Sequence, residues 1–219
     1  MKTLQKTGAC AALYLAAAYL IGMVIFLAVL DLPSLTDPLQ KVALLVEMQT
    51  VVFSTNLLMY VFFGVFLVVL SLALYERLKD GAPAIMQAAT ALGMIWAGSL
   101  VASGMVANAG IGPVVALYAA DPAQAALSWQ GIEIVANGLG NANGEILGGL
   151  WTLLVSLAAL RAGGLRAGEL PRGLIVLGLL VGVEGILSIF PGLTEMLTGP
   201  FGVSQMLWFA WLGIVLLKK

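Results

Sequence analysis

Residues 51–74 read VVFSTNLLMYVFFGVFLVVLSLAL, a stretch of 24 residues without a charged side chain. At a rise of about 1.5 Å per residue, a helix of this length is longer than the roughly 30 Å hydrocarbon core of a bilayer. Lipid cannot hydrogen-bond to the backbone, so a segment of this kind that crosses a membrane has to be helical. The stretch therefore predicts a transmembrane helix.

Five further apolar runs lie on either side of this stretch, separated by charged or Pro/Gly-rich turns. The first run is longer than the apolar core of a signal peptide, and it predicts an uncleaved helix. We predict a single all-α domain over residues 1–219, a polytopic membrane bundle with six transmembrane helices in three hairpins. The predicted spans are 8–30, 51–74, 84–107, 138–160, 173–190 and 201–217.

The composition points to lipid as the main partner. The chain has 219 residues, of which 61% are hydrophobic and 10% charged, and its mean hydropathy is +1.05. Soluble domains carry about 25% charged residues, so we expect a lipid bilayer to cover much of the apolar surface. The net charge of −1 gives no basic field of the kind that binds nucleic acid.

The missing residue types narrow the chemistry. The chain contains no histidine and one cysteine, Cys10, so it lacks the usual ligands for zinc, copper or haem and the usual general base near neutral pH. No nucleophile–base pair is visible either. We therefore expect no metal, no cofactor and no enzymatic activity.

The basic residues predict the orientation in the membrane. Nine of the ten fall on one side of a six-span arrangement, and only Lys41 falls on the other. Positive charge collects on the cytoplasmic side, so we predict that both termini are cytoplasmic, in a bacterial inner membrane. Residues 31–50 and 108–137 are then external. The nine cytoplasmic residues are Lys2, Lys6, Arg77, Lys79, Arg161, Arg166, Arg172, Lys218 and Lys219.

Two similar tetrapeptides stand in the external segments, DPLQ at 37–40 and DPAQ at 121–124. Aspartate followed by proline is typical of a helix start, with Asp as the N-cap. A weaker echo, Gly199-Pro200 before Gln205, suggests three related hairpins. Because no breaker follows Pro38 before Glu76, we expect the second helix to extend beyond the membrane.

The fourth span carries the densest set of polar residues. Glu133, Asn137, Asn141 and Glu145 recur at every fourth position, so a continuous helix would present them as one stripe. Such a stripe lines a wet cavity or joins helices through hydrogen bonds. In a third interpretation the turn-forming Asn-Gly pairs at 137–138 and 143–144 leave the segment partly unwound.

Glycines follow a similar spacing in this span and the next. Small residues four positions apart allow helices to approach closely, and we assign these glycines to helix packing. The tryptophans inside the apolar runs, Trp96, Trp151, Trp208 and Trp211, are interpreted as packing residues or interfacial anchors. The packing glycines are Gly140, Gly144, Gly148, Gly178 and Gly182.

Two acids are predicted to lie deep in the bundle. Glu145 lies about 24 Å above Arg161 on a helical rise, and Glu184 about 18 Å above Arg172. A carboxylate without a cation in a medium of low polarity takes up a proton or binds a cation. The predicted ligand- or proton-binding residues share the outer half of the membrane: Glu145, Glu184, Asn141, Asn137, Gln205, Tyr19, Asn56 and Ser99.

Two functions fit this arrangement. The first is a transporter-like or ligand-binding protein whose acidic, Asn-lined cavity takes a proton or a small cationic or neutral ligand. The second is a non-catalytic scaffold or sensor component whose Gly/Asn stripe packs helices or subunits.

The second half of the chain resembles an uncharacterised bacterial membrane family, domain of unknown function 4386. The resemblance rests on GLWTLL at 149–154 with the basic turn after it, LPRGL at 170–174, the glycine-rich helix 178–187, and SLALYERLKD at 71–80. The turn carries a near-duplicated Arg-Ala-Gly, at 161–163 and 166–168, which makes it longer than the family pattern. The resemblance implies a six-helix membrane fold and brings no activity or site residues.

Overall fold

A computed structural model describes residues 2–31, 34–140, 145–163 and 170–218. Within these ranges the chain is helical, without a strand, which confirms the all-α prediction. Two π-helical segments, Ile25–Val29 and Leu57–Phe62, interrupt the regular helices. The α-helices are α1 (Lys2–Val24), α2 (Pro38–Glu47), α3 (Gln49–Asn56), α4 (Phe63–Leu78), α5 (Pro83–Tyr118), α6 (Pro122–Leu139), α7 (Ile146–Gly163), α8 (Arg172–Leu187) and α9 (Pro191–Leu217).

Four of the described helical runs are long and apolar enough to cross a membrane: Thr3–Val29, Gln49–Leu78, Pro83–Tyr118 and Pro191–Leu217. A fifth, Ile146–Ala162, is apolar but shorter. Length and composition thus agree with a membrane protein, and the count of six spans stays a prediction.

Both Asp-Pro helix starts are confirmed. The Asp37 carboxylate accepts a hydrogen bond from the Leu39 backbone N–H at 3.0 Å, and Asp121 accepts one from Gln124 N–H at 3.0 Å. In each case the following proline is the first helical residue, where its missing N–H costs nothing. The echo at Gly199-Pro200 does not start a helix, because α9 begins at Pro191 and carries Pro200 in its interior.

The helix predicted to run without a break from Pro38 is divided. Met48 adopts a non-helical conformation between α2 and α3, and the π-helical segment Leu57–Phe62 separates α3 from α4. No proline or glycine marks either change, so the sequence pattern could not show them.

The continuous helix considered for the fourth span is also wrong. Helix α6 ends at Leu139, with Gly140 as its C-cap, and α7 begins at Ile146. Glu133 and Asn137 therefore belong to one helix and Glu145 to the start of another. Of the alternatives, the interrupted segment is the one that the structure favours, although residues 141–144 lie outside the described ranges.

Six helices form a closed ring. Helix α1 packs against α4 and α9, α5 against α4 and α7, and α8 against α7 and α9. Outside this ring, α2 and α6 pack on α5. A small second cluster between them includes Val42, Ile111 and Trp129.

Aromatic side chains fill the core of the ring. Trp96, Trp151 and Trp208 are fully buried, and so are Phe201 and Phe209. The ring centroids of Trp96 and Trp151 are 5.9 Å apart, and those of Trp151 and Trp208 are 5.7 Å apart, a spacing typical of favourable aromatic pairs. The packing interpretation of these three tryptophans is confirmed, whereas Trp211 is 40% exposed.

Helices α7 and α8 make the closest approach. A Cβ atom added to Gly149 would lie 2.8 Å from the Cα and carbonyl carbon of Gly185, and one added to Gly182 would lie 2.9 Å from Leu153 Cα. These neighbours are backbone atoms, which cannot rotate away. Any side chain at Gly149 therefore separates the helices.

We predict that Gly149→Ala lowers the free energy of unfolding by about 1–3 kcal/mol, the usual cost of overpacking a tight core. Gly98→Ala on α5 is the matched control, because nothing lies within 4 Å of its added Cβ. Denaturation of the two purified variants in detergent micelles measures the difference. Equal stability of both variants would show that α7 and α8 do not pack this closely.

Candidate functional site

Glu145 stands at the N-terminus of α7 and acts as its N-cap. Its carbonyl oxygen accepts a hydrogen bond from Gly149 N–H at 2.8 Å, the first bond of the helix. Its own N–H donates to Ser188 Oγ at 2.8 Å. Ser188, in the turn after α8, in turn donates to Gly185 O at 2.8 Å. The end of α8 therefore fixes the backbone from which the Glu145 side chain projects.

The Glu145 side chain lines a cavity of about 130 Å³, which we call the Glu145 cavity. Its walls come from α1, from the π-helical segment before α4, and from α5 and the end of α6. The lining residues are Tyr19, Met59, Tyr60, Phe63, Trp96, Leu100, Gly140 and Glu145.

The π-helical segment Leu57–Phe62 supplies Met59 and Tyr60. Short π-helical turns are rare and frequently occur at functional sites. The Tyr14 hydroxyl donates to Leu58 O at 2.9 Å, which ties α1 to this segment. On the other side a Cβ at Gly104 would lie 2.7 Å from Tyr60 Cβ, so the absence of a side chain on α5 allows Tyr60 its position.

Aromatic rings form most of the remaining wall. Tyr19 and Phe63 meet edge to face with centroids 5.5 Å apart, and Phe63 meets Trp96 in the same way at 5.9 Å. Phe63 and Trp96 are both buried. The wall is therefore continuous with the tryptophan core of the ring, which holds it in place.

The charge in this cavity is not balanced by its walls. Among the described residues that line it, Glu145 is the one acid and none is basic. The side-chain donors among these lining residues are the hydroxyls of Tyr19 and Tyr60 and the indole N–H of Trp96, which is buried without a hydrogen-bond partner among the described residues. A carboxylate in such surroundings is stabilised by a proton or by a cation from outside.

A second, larger cavity of about 260 Å³ lies between α2, α3, α5 and α6, and we call it the outer cavity. Lys41 Nζ and Glu133 Oε2 stand 3.4 Å apart at its wall, with side chains about one-third exposed. Asn56 Nδ2 donates to Asn108 Oδ1 at 2.9 Å. Tyr60 is in the lining of both cavities, so the two cavities share this residue.

Two serines of α5 form hydrogen bonds with the end of α6, beside Tyr60. Ser99 Oγ donates to Leu139 O at 2.5 Å, and Ser103 Oγ donates to Ala136 O at 2.7 Å. The Leu139 carbonyl is one that the end of a helix leaves without an intrahelical partner, whereas the Ala136 carbonyl also accepts from Gly140 N–H at 2.8 Å. The two serine bonds also place Gly140 beside Tyr60 at the Glu145 cavity: a Cβ atom added to Gly140 would lie 3.3 Å from Tyr60 Cε1.

The structure divides the predicted site residues. Tyr19 and Glu145 line the Glu145 cavity, and Asn56 and Asn137 line the outer cavity. Ser99 bonds to the end of α6 and lines neither. Asn141 lies outside the described residues.

The remaining two predicted site residues have partners elsewhere. Glu184 Oε2 accepts a hydrogen bond from Ser204 Oγ at 2.6 Å. Gln205 is fully buried, and its Oε1 accepts from Thr152 Oγ1 at 2.8 Å. Neither lines a cavity with Glu145 among the described residues. The two acids of the predicted layer therefore occupy different environments.

The glycines assigned to packing lie against side chains of neighbouring elements. An added Cβ would meet Ser103 Oγ from Gly140, Trp96 and Phe201 from Gly148, Ser156 and Trp208 from Gly178, and Leu153 from Gly182. Gly144 lies outside the described residues.

Sequence reasoning missed three walls of the site. Trp96 was interpreted only as a packing residue or anchor. Tyr60 and Phe63 were not singled out, because no sequence pattern marks the π-helical turn that orients Tyr60. The Lys41–Glu133 pair could have been found, since Lys41 is the single base predicted to be external and Glu133 is the first acid of the predicted polar stripe.

Within the described ranges, no group of three or more acidic, cysteine or histidine residues could hold a metal ion. Comparison of the chain with known proteins gave no match to a family model, to a curated protein or to a solved structure. The resemblance to domain of unknown function 4386 therefore stays a prediction.

We predict that Ser188→Ala lowers the free energy of unfolding by about 1–2 kcal/mol, because the Glu145 N–H and Gly185 carbonyl both lose a buried partner. Ser128→Ala is the control, since Ser128 Oγ bonds only within α6, to Gln124 O, and we expect a change within about 0.5 kcal/mol. Chemical denaturation in micelles compares them. An unchanged Ser188→Ala protein would mean that this bond does not position Glu145.

Proposed function

We propose that this chain is an integral membrane protein, transporter-like or ligand-binding, that takes up a proton or a small cation at Glu145. One observation carries the proposal. Glu145 is the one acid among the described residues lining a cavity whose other walls are aromatic, apolar or glycine, with no base among them. An ionisable group of this kind inside a membrane protein is the default candidate for a functional site.

The outer cavity offers a route to this acid. It adjoins the Glu145 cavity at Tyr60, and its polar groups include the Lys41–Glu133 pair and Asn137. A pair at 3.4 Å with partly exposed side chains is weak, worth at most about 1 kcal/mol. It can therefore open without a large cost when a charged ligand passes.

The proposal places six spans in a bacterial inner membrane with both termini in the cytoplasm. Four long apolar helical runs and the shorter apolar α7 support it, together with the basic residues on one side. The resemblance to domain of unknown function 4386 is part of this proposal.

Related hairpins account for the ring of helices. Ser71 on α4 lies against Gly93 on α5, and Ser156 on α7 lies against Gly178 on α8. The same offset along the chain separates the two serines and the two glycines. Each glycine also faces the indole N–H of a tryptophan from the next helix, Trp151 and Trp208 respectively. Both contacts join one proposed hairpin to the next, so the recurrence supports a repeated interface between successive hairpins.

A second candidate is a non-catalytic scaffold or sensor component. It is favoured by the contacts of Gly148 and Gly182 with neighbouring helices, which explain the glycine spacing without a ligand. It leaves the acid in the Glu145 cavity without a role.

We predict that the infrared spectrum of the protein in lipid shows a carboxylic-acid band that belongs to Glu145 and titrates with pH. A bound cation favours the ionised form, so cation and proton compete. Adding a cation that binds should move the midpoint of the band to lower pH, and binding of that cation should weaken as pH falls. Tyr19 and Tyr60 are the other titratable groups that line the cavity.

Glu145→Gln should remove this band and its response. Glu184→Gln is the matched control, because Glu184 bonds to Ser204 away from the cavity, and it should retain both. If the band persists in Glu145→Gln, or if the wild-type band does not respond to pH, Glu145 is not the site and the scaffold candidate is favoured.

The topology has its own test. In a Cys10→Ser background, we predict that cysteines introduced at Thr3 and at Lys218 both react with a membrane-impermeant maleimide only after the cytoplasmic face is opened. Cys10 is replaced because it is an exposed free cysteine that the reagent could label. Labelling of the two termini from opposite sides would contradict an even number of spans.

A further inference from the structure

We propose that the cation bound at Glu145 is a methylated ammonium ion, held between the carboxylate and a cage of aromatic rings. This inference rests on the proposed function and narrows it to one chemical class. The cage consists of Tyr19, Tyr60, Phe63 and Trp96, which line the cavity together with Glu145.

The rings provide the first argument. The face of an aromatic ring is negative, so a cation placed over it is attracted, and this attraction is strong where water is excluded. Rings of this kind recognise quaternary ammonium groups in aromatic cages. Here four rings and one carboxylate converge on a single cavity, and two of the rings, Phe63 and Trp96, are buried and fixed by edge-to-face contacts.

The hydrogen-bonding capacity of the walls provides the second argument. A primary ammonium carries three N–H groups, and each needs an acceptor when it leaves water. The described lining offers such acceptors at the Glu145 carboxylate and at the hydroxyls of Tyr19 and Tyr60, and the rest of it, including Met59 and Leu100, is apolar. An ammonium whose hydrogens are replaced by methyl groups needs no acceptors and buries its methyl groups against these walls.

The size of the cavity agrees with this class. An apolar cavity of about 150 Å³ holds a molecule the size of benzene, and the Glu145 cavity has about 130 Å³. A cavity of this order holds one small organic group. A proton alone would need no cavity, and a metal ion would need several oxygen ligands, whereas the described lining residues supply one carboxylate and two phenols.

The charge of the outer cavity fits the same ligand. The ligand would enter along Asn137 and Glu133 and pass Tyr60 to reach Glu145. Each of these groups accepts or attracts a cation without requiring N–H donors from it. Lys41, paired with Glu133, is the single base among the described residues lining this route.

The test is equilibrium dialysis of the full-length protein in lipid nanodiscs with radiolabelled tetramethylammonium at a pH above the infrared midpoint of Glu145. Ammonium and potassium are the charged competitors, and tert-butyl alcohol is the neutral one of similar branched shape. We expect tetramethylammonium to bind at least tenfold more tightly than any of the three competitors.

Variants separate the ring from the hydroxyl at one position. Tyr60→Phe keeps the ring and should bind within about twofold of the wild type. Tyr60→Leu removes the ring and should weaken binding by about 2- to 30-fold, the range that one cation–π contact supplies. Glu145→Gln should weaken it at least as much, and Glu184→Gln should have no effect. Unfolding curves of each variant confirm that the fold is retained.

The outcomes distinguish this inference from the proposed function. If ammonium or potassium binds as tightly as tetramethylammonium, or if Tyr60→Phe is as damaging as Tyr60→Leu, a hydrogen-bonded or inorganic cation occupies the site. The inference is then wrong although the cation site stands. If no cation binds while the Glu145 infrared band still titrates, the site takes a proton and the inference is again wrong. Binding that survives Glu145→Gln overturns it as well.

Discussion

Helices α7 and α8 cross at a point where neither carries a side chain, and the position of the candidate site follows from that crossing. With Gly149 against Gly185, the end of α8 comes close enough for Ser188 to accept the Glu145 N–H. The backbone of the acid is thus held at its N–H by the Ser188 hydroxyl and at its carbonyl by the first turn of α7. Neither bond uses the carboxyl group, which faces the Glu145 cavity.

The same packing explains why the cavity is both rigid and electrostatically incomplete. Its aromatic wall continues into the Trp96–Trp151–Trp208 core, so the rings cannot move apart easily. The described walls bring no base to Glu145, and a membrane around the ring would keep water from replacing one. Different residues therefore stabilise the bundle and form its candidate site. Glycines and tryptophans pack the helices together, and Glu145 is left without a basic partner on the described walls.

Much of the fold could be predicted from the sequence, because apolar run length and Asp-Pro helix starts are local signals. Glu145 and Tyr19 were predicted together for a similar reason, since polar groups are rare in such runs, and both line one cavity. The rest depended on contacts between distant segments. Nothing near Glu184 shows that Ser204 meets it, and rise arithmetic places residues at one depth without saying which way they face. The break between α6 and α7 was foreseen as an alternative through its Asn-Gly pairs.

The π-helical turn Leu57–Phe62 limits which insertions and deletions this segment of the sequence can tolerate. A turn of this kind holds one residue more than an α-helical turn, so α3 and α4 follow registers that differ by one position. Loss of a single residue there would restore a uniform helix, and α3 and α4 would keep the faces that they present to their neighbours, because the π-helical turn absorbs the extra residue. Met59 and Tyr60 lie inside this turn, so their side chains would change direction relative to the Glu145 cavity. Length in this segment is therefore under tighter constraint than composition, and an insertion or deletion would alter the site while leaving the hydropathy of the helix unchanged.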